Sequence, residues 1–81
     1  MLIRIVPAIG QEAPFEMEVD PEESVKSLKE RVAKQCGVPA SALTLTCRGI
    51  ELQDDNAPLG SVGVQEGDKI FYVSSDIEGG F

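Results

Sequence analysis

The period of the apolar residues changes once, sharply, across Asp20-Pro21. Before it, Phe15-Glu16-Met17-Glu18-Val19-Asp20 alternates strictly, apolar then acidic. Successive side chains of an extended strand point to opposite faces, so this run predicts a strand. Phe15, Met17 and Val19 face a core; Glu16, Glu18 and Asp20 face water. After Pro21, Val25, Leu28, Val32 and Cys36 recur at helical spacing, while Lys26, Glu30, Arg31 and Lys34 fall off that stripe. Ser24 stands where an N-cap belongs, with Glu22 and Glu23 adding favourable negative charge near the helix start. Gly37 sits where a left-handed residue closes a helix, and Pro39 prevents continuation. A strand and a helix, each with one apolar side, must bury those sides. The helix needs a sheet to lie on.

The rest of the chain supplies that sheet. Met1 to Val6 is rich in β-favouring residues, with Met1, Ile3 and Ile5 on one face and Arg4 on the other. Pro7, Gly10 and Pro14 punctuate the connection to the second strand, giving a hairpin with a loop longer than two residues. Leu43-Thr44-Leu45-Thr46-Cys47-Arg48 alternates again, with Leu43, Leu45 and Cys47 inward. Gly49 makes a turn into a short return strand, Ile50-Glu51-Leu52. Asp54-Asp55-Asn56 is turn chemistry. Residues 57–64 are too interrupted for regular structure, although Leu59 and Val64 can pin them to the core. Glu66-Gly67-Asp68 turns into the last strand, Lys69 to Val73, expected to have Phe71 and Val73 inward and Ile70 and Tyr72 outward. The order strand, strand, helix, strand, short strand, strand predicts an α+β roll. Its mixed four- to five-stranded sheet carries one helix on one face, with the first and last strands as central partners.

Eighty-one residues make one domain, here residues 1–74, followed by a tail, 75–81. The net charge of −7, with no histidine, argues against nucleic acid and anionic membrane as partners, since both are bound through basic surfaces. It suits a basic protein partner, but also simple solubility, the more common reason for such a charge. Cys36 and Cys47 are isolated, without metal-ligand spacing, and read as reduced residues of a cytoplasmic chain. No secretory signal or transmembrane stretch is present in the sequence, and a monomer is expected. No nucleophile stands beside a base. Glu16 with Glu18, and Asp54 with Asp55, read as solvated strand and turn carboxylates rather than acid pairs. The chain is therefore not expected to be an enzyme.

In this order, the residues resemble the β-grasp fold of ubiquitin-like modifiers over nearly the whole chain. The resemblance rests on Glu18-Val19-Asp20-Pro21 before the helix, Val25-Lys26-Ser27-Leu28-Lys29 opening it and Gly37-Val38-Pro39 after it. It rests further on Arg48-Gly49-Ile50-Glu51-Leu52, on Leu59 and Val64, and on Gly79-Gly80 at the end. Residues 3–10 are more similar to archaeal ubiquitin-like proteins. What the family implies is a role for the tail. A protease removes Phe81; an activating enzyme, using ATP and magnesium, adenylates the Gly80 carboxylate. Gly80 then passes as a thioester to conjugating enzymes, with ligases as further candidates, and ends as an isopeptide on a lysine of a target protein. The chain itself carries no cofactor and no metal. Two glycines form a thin strip of backbone that enters slots closed to any Cβ. The archaeal resemblance favours a JAMM-type zinc metalloprotease for the cut between Gly80 and Phe81; the alternative is that Phe81 is an expression scar.

The same resemblance assigns surfaces. Asp76, Ile77 and Glu78 would dock on the activating enzyme. Acidic residues at 76 and 78, where ubiquitin has arginines, imply a dedicated enzyme with a basic tail groove. The partner surface would comprise Ile9, Thr46, Arg48, Ile50, Ile70, Tyr72 and Ser74, with only Ile9, Tyr72 and Ile70 offering apolar area. Such a reduced patch implies weak binding to standard ubiquitin receptors. Lys26, Lys34 and Lys69 are the candidate chain lysines; Lys29 is expected to be tied down, with Asp54 as its partner. Two other functions share the fold. A sulfur carrier would end in a Gly80 thiocarboxylate, and a ubiquitin-like binding module would never be conjugated.

Overall fold

A computed structural model of the chain describes residues 1–10 and 12–74. Its elements are β1 (Leu2–Pro7), β2 (Phe15–Glu18), α1 (Val25–Cys36), β3 (Leu43–Cys47), β4 (Ile50–Glu51) and β5 (Lys69–Ser74), with 3-10 turns at Ala40–Ala42 and Leu59–Val62. The five strands form one mixed sheet in the order β2-β1-β5-β3-β4. β1 and β5 lie parallel at its centre, and every other pairing is antiparallel. The helix covers one face, giving the ubiquitin-like β-grasp that the family resemblance implies, with the strand-to-helix change falling after β2 as the pattern predicts.

The helix is bounded as its sequence requires. Ser24 Oγ accepts from the Ser27 N–H at 3.1 Å, satisfying one of the free donors of the first turn. Gly37 takes φ +76° and donates its N–H to the Ala33 carbonyl at 2.8 Å. Val25, Leu28 and Val32 are buried with Ala33, and Cys36 is half-buried at the end of the stripe. The remaining first-turn donors go to a loop: Val25 N–H to Ala57 O at 3.0 Å and Lys26 N–H to Asp55 O at 3.0 Å. In return, Leu59 N–H donates to Glu23 O and Gly60 N–H to Pro21 O. At Gly60 the loop comes so close that a Cβ would sit 3.3 Å from the Pro21 Cβ and 3.4 Å from its carbonyl oxygen.

That loop is more regular than its interrupted sequence suggests. Pro58 presets the backbone before the 3-10 turn Leu59–Val62, and Gly63 at φ +91° ends it. Leu59 and Val64 are buried, as expected. On the sheet side, Ile3, Ile5, Leu43, Leu45 and Cys47 are buried under the helix, and no polar or charged residue is buried among the described residues.

The last strand runs in the opposite phase to that expected. Ile70 and Tyr72 are the inward residues, 0% and 8% exposed, and Phe71 and Val73 face out, each 38% exposed. Every residue from Ile70 to Val73 is apolar or aromatic, so alternation alone cannot choose the face. Pairing chooses it. Ile70 is opposite Ile5 in β1 and Cys47 in β3, and Tyr72 is opposite Leu45, all of them inward residues. Opposed residues of neighbouring strands share a face.

Candidate functional site

The uncovered sheet face is built from β1, β3 and β5. On β5 it shows Lys69, Phe71 and Val73; on β3, Thr44 and Thr46; on β1, Arg4 and Val6. Thr46 is opposite Phe71 and Thr44 opposite Val73, while Val6 and Arg4 flank Phe71 and Lys69 on the other side. The centre of this face is thus apolar, with hydroxyls on the β3 side. The β2 side is charged: Arg4 and Glu16 form an ion pair at 3.7 Å, and Glu18 is opposite Leu2. Ile9, 75% exposed in the β1–β2 connection, and Ile50, 70% exposed in β4, add further apolar surface.

Of the expected partner residues, Ile9, Thr46 and Ile50 reach the surface. Ile70 and Tyr72 do not; they are core residues, and Phe71 and Val73 take their place. The apolar patch is therefore made of different residues from those the sequence suggested. Lys69 could have set the phase, because it shares a face with Phe71 and Val73 and lysine is almost never buried unpaired. Ser74 is opposite Leu43 and half-buried. Arg48 is exposed but engaged. Its guanidinium donates to both Asp68 carboxylate oxygens, at 2.9 and 2.8 Å, and to the Gly63 carbonyl at 2.9 Å. This holds the β3–β4 turn against the start of β5, with Arg48 itself at φ +54°. Asp76, Ile77, Glu78, Gly79, Gly80 and Phe81 lie outside the described residues.

Lys29 is tied down, but by Asp55 at 3.0 Å, not Asp54. Asp54 instead accepts the Asn56 N–H at 3.1 Å, closing its own turn. Lys26, Lys34 and Lys69 are exposed. Both cysteines are free thiols. Burial, aided by the Asp68 carboxylate, pushes the Cys47 thiol up and leaves it unreactive at neutral pH. Burial first, then the Cys36 thiol and the Glu12 carboxylate, pushes the Tyr72 phenol up to about 12. Among the described residues, no cluster of three or more acidic or cysteine side chains could hold a metal ion. No described helix is long and apolar enough to cross a membrane.

A five-stranded sheet of this order, with parallel central strands and one crossing helix, defines a β-grasp protein of the ubiquitin-like class. Comparison with known proteins agrees. The sequence profile of the ubiquitin family matches residues 10–76. Ubiquitin-like protein NEDD8 of Dictyostelium discoideum is 30% identical over 80 residues, 99% of both chains. Ubiquitin-like protein 1 of Schizosaccharomyces pombe is 36% identical over 55 residues, 68% of each. Among solved structures, the ubiquitin of Caldiarchaeum subterraneum superposes with a TM-score of 0.85 at 36% identity, over 91% of each chain. The ubiquitin-like domain of an Arabidopsis thaliana protein gives 0.81 at 28% identity, over 91% of this chain and 76% of that one. The chain belongs to the ubiquitin family.

Proposed function

We propose that this protein is a covalent modifier, joined through the Gly80 carboxyl group to lysine side chains of target proteins. The observation that carries this is Gly79-Gly80, five and six residues beyond the last strand of a ubiquitin-family domain. Gly80 is followed by Phe81, so a protease must first hydrolyse that peptide bond to free the carboxylate; a JAMM-type zinc metalloprotease is the proposed agent.

A carboxylate is a poor electrophile. Attack of its oxygen on the α-phosphorus of ATP, with loss of pyrophosphate, gives an acyl-adenylate. An activating-enzyme thiolate then displaces AMP to form a thioester, and a conjugating-enzyme thiolate can take over the acyl group. A lysine amine finally displaces the thiolate and loses a proton, leaving the isopeptide. Every catalytic group belongs to another protein, as do the ATP and magnesium. This chain contributes the acyl group, a tail without Cβ atoms at its last two positions before the cut, and a docking face. That face is Phe71 and Val73, bordered by Thr46 and Ile9, with Glu51 of β4 opposite Thr46. Asp76 and Glu78 would select an activating enzyme with a basic tail groove.

Charging tests this. The chain ending at Gly80, mixed with ATP, magnesium and an extract of the source cells, should form an adduct on an enzyme thiol that reductant cleaves. The chain carrying Phe81 should do so only after losing that residue. No reductant-labile adduct with either form overturns the proposal. A product with sulfur replacing one Gly80 carboxylate oxygen would assign the chain to sulfur transfer.

A further inference from the structure

On one side the sheet ends at β2, whose outer edge pairs with no other described strand. Met1 and Val19 bond each other in both directions: the Val19 N–H donates to the Met1 carbonyl at 2.8 Å, and the Met1 amine to the Val19 carbonyl. Bonded and unbonded pairs alternate along an antiparallel ladder, so Ile3 with Met17 and Ile5 with Phe15 are the next bonded pairs. The backbone N–H and C=O groups of Glu16 and Glu18 therefore point away from β1, out of the sheet.

Two features bound this open edge. At one end, Pro14 continues the same row of positions and has no N–H to offer. At the other, Arg31 of α1 donates to the Glu18 carbonyl at 2.9 Å, while both Glu23 carboxylate oxygens hold its guanidinium, at 2.8 and 3.0 Å. Between them stand the Glu16 N–H, the Glu16 carbonyl and the Glu18 N–H, enough to engage two residues of an added strand. Their surroundings are acidic. Residues 12–22 carry five exposed carboxylates, Glu12, Glu16, Glu18, Asp20 and Glu22, and no lysine or arginine. A second copy would set Glu16 and Glu18 against their like, which opposes pairing. A strand with cations at alternate positions would instead set them beside Glu16 and Glu18. Its intervening apolar side chain would fall on the other face, beside the half-buried Met17.

We propose that the β2 edge takes up an extended protein segment of alternating basic and apolar residues as a further strand of the sheet, with Arg31 as its competitor for the Glu18 carbonyl. β1 lies between this edge and the Phe71–Val73 face of β5, so the two surfaces are separate. The proposal does not rest on the modifier reading.

The test is a titration of the full chain at constant ionic strength with the peptide acetyl-Lys-Val-Lys-Val-Lys-amide, followed through backbone amide resonances and exchange rates. The peptide should shift Glu16, Met17 and Glu18, slow exchange of the Glu16 and Glu18 amides, and leave Thr46 and Phe71 unmoved. Its counterpart with glutamate for lysine should bind more weakly. Methylating the backbone nitrogen of the central lysine removes a strand donor without changing the charge, and should weaken binding about two- to ten-fold, the net worth of one hydrogen bond. Arg31→Ala frees the Glu18 carbonyl and should tighten binding by a similar factor. Lys34→Ala removes the same charge from the same helix and should tighten it less. Equal binding of the lysine and glutamate peptides, no effect of the methyl group, equal effects of Arg31→Ala and Lys34→Ala, shifts centred on Phe71, or no shifts at millimolar peptide would each overturn the proposal. None of these outcomes depends on conjugation. Failure of charging with the edge still binding would remove the modifier reading alone.

Discussion

Thr46 of β3 and Phe71 of β5 stand directly opposite each other on the uncovered face of the sheet. Next to Phe71 in sequence, Tyr72 points the other way, into the core. One residue of register thus separates an exposed side chain from a packing one.

Substitution should separate the two. Tyr72→Ala removes a buried ring and should cost about 3–5 kcal/mol, enough to unfold much of a chain this small. Phe71→Ala should cost about 1 kcal/mol or less, mostly the cross-strand contact with Thr46. Phe71→Glu should remain folded and lose at least ten-fold in charging or receptor binding. Denaturant titration checks the first pair, and the charging assay the last. Equal destabilisation by Tyr72→Ala and Phe71→Ala would contradict the observed phase.

Most of the fold was legible because most elements have one apolar side. Strict alternation at Phe15–Asp20 and Leu43–Cys47 leaves a single phase that buries the apolar set. Val25, Leu28 and Val32 do the same for the helix, and Ser24 and Gly37 mark its ends. The last strand was not legible in this way. Ile70-Phe71-Tyr72-Val73 offers an apolar side in either phase, and only pairing with Ile5 and Leu45 decides. The surface was misplaced for that one reason. Lys29's partner was missed by one residue because adjacent turn carboxylates are equivalent in composition, whereas Asp54 is committed to the Asn56 amide. The Arg48–Asp68 clasp joins residues 20 apart in sequence, and no local pattern reports it.

Asp68 gathers two bonds from Arg48 and one from the Gln65 N–H at 2.7 Å, and its side chain is only 17% exposed. Asp68→Ala should therefore cost about 1.5–3 kcal/mol, and Arg48→Ala less, since the guanidinium is half exposed. Thermal denaturation of both variants checks the order. A larger loss from Arg48→Ala would contradict it.

Tyr72 should make the protein sensitive to base. Its folded value of about 12 lies above the ordinary 10, so the folded state holds the phenolic proton more tightly than the unfolded chain. Stability from this source is complete below pH 10 and falls as pH rises from 10 toward 12. Its size is on the order of 1–3 kcal/mol. Tyr72→Phe should abolish this part of the alkaline loss, measured as the difference between the two proteins' denaturation midpoints from pH 9 to 12.

Lysine reactivity should follow the observed partners. Lys26, Lys34 and Lys69 should acylate faster than Lys29, which is held by Asp55. Asp55→Asn should bring Lys29 toward the others, and Asp54→Asn should not. Peptide mapping after brief treatment with an amine-reactive ester reads this directly. Equal rates for all four lysines would rule it out.

The central claim concerns what happens at Gly80. The most direct measurement is the intact mass of the protein from its own cells, together with a search for Gly-Gly remnants on lysines of other proteins. The modifier account predicts chains ending at Gly80, and remnants that vanish when Gly80 is deleted. Phe81 retained on every copy, with no remnant on any lysine, would contradict it.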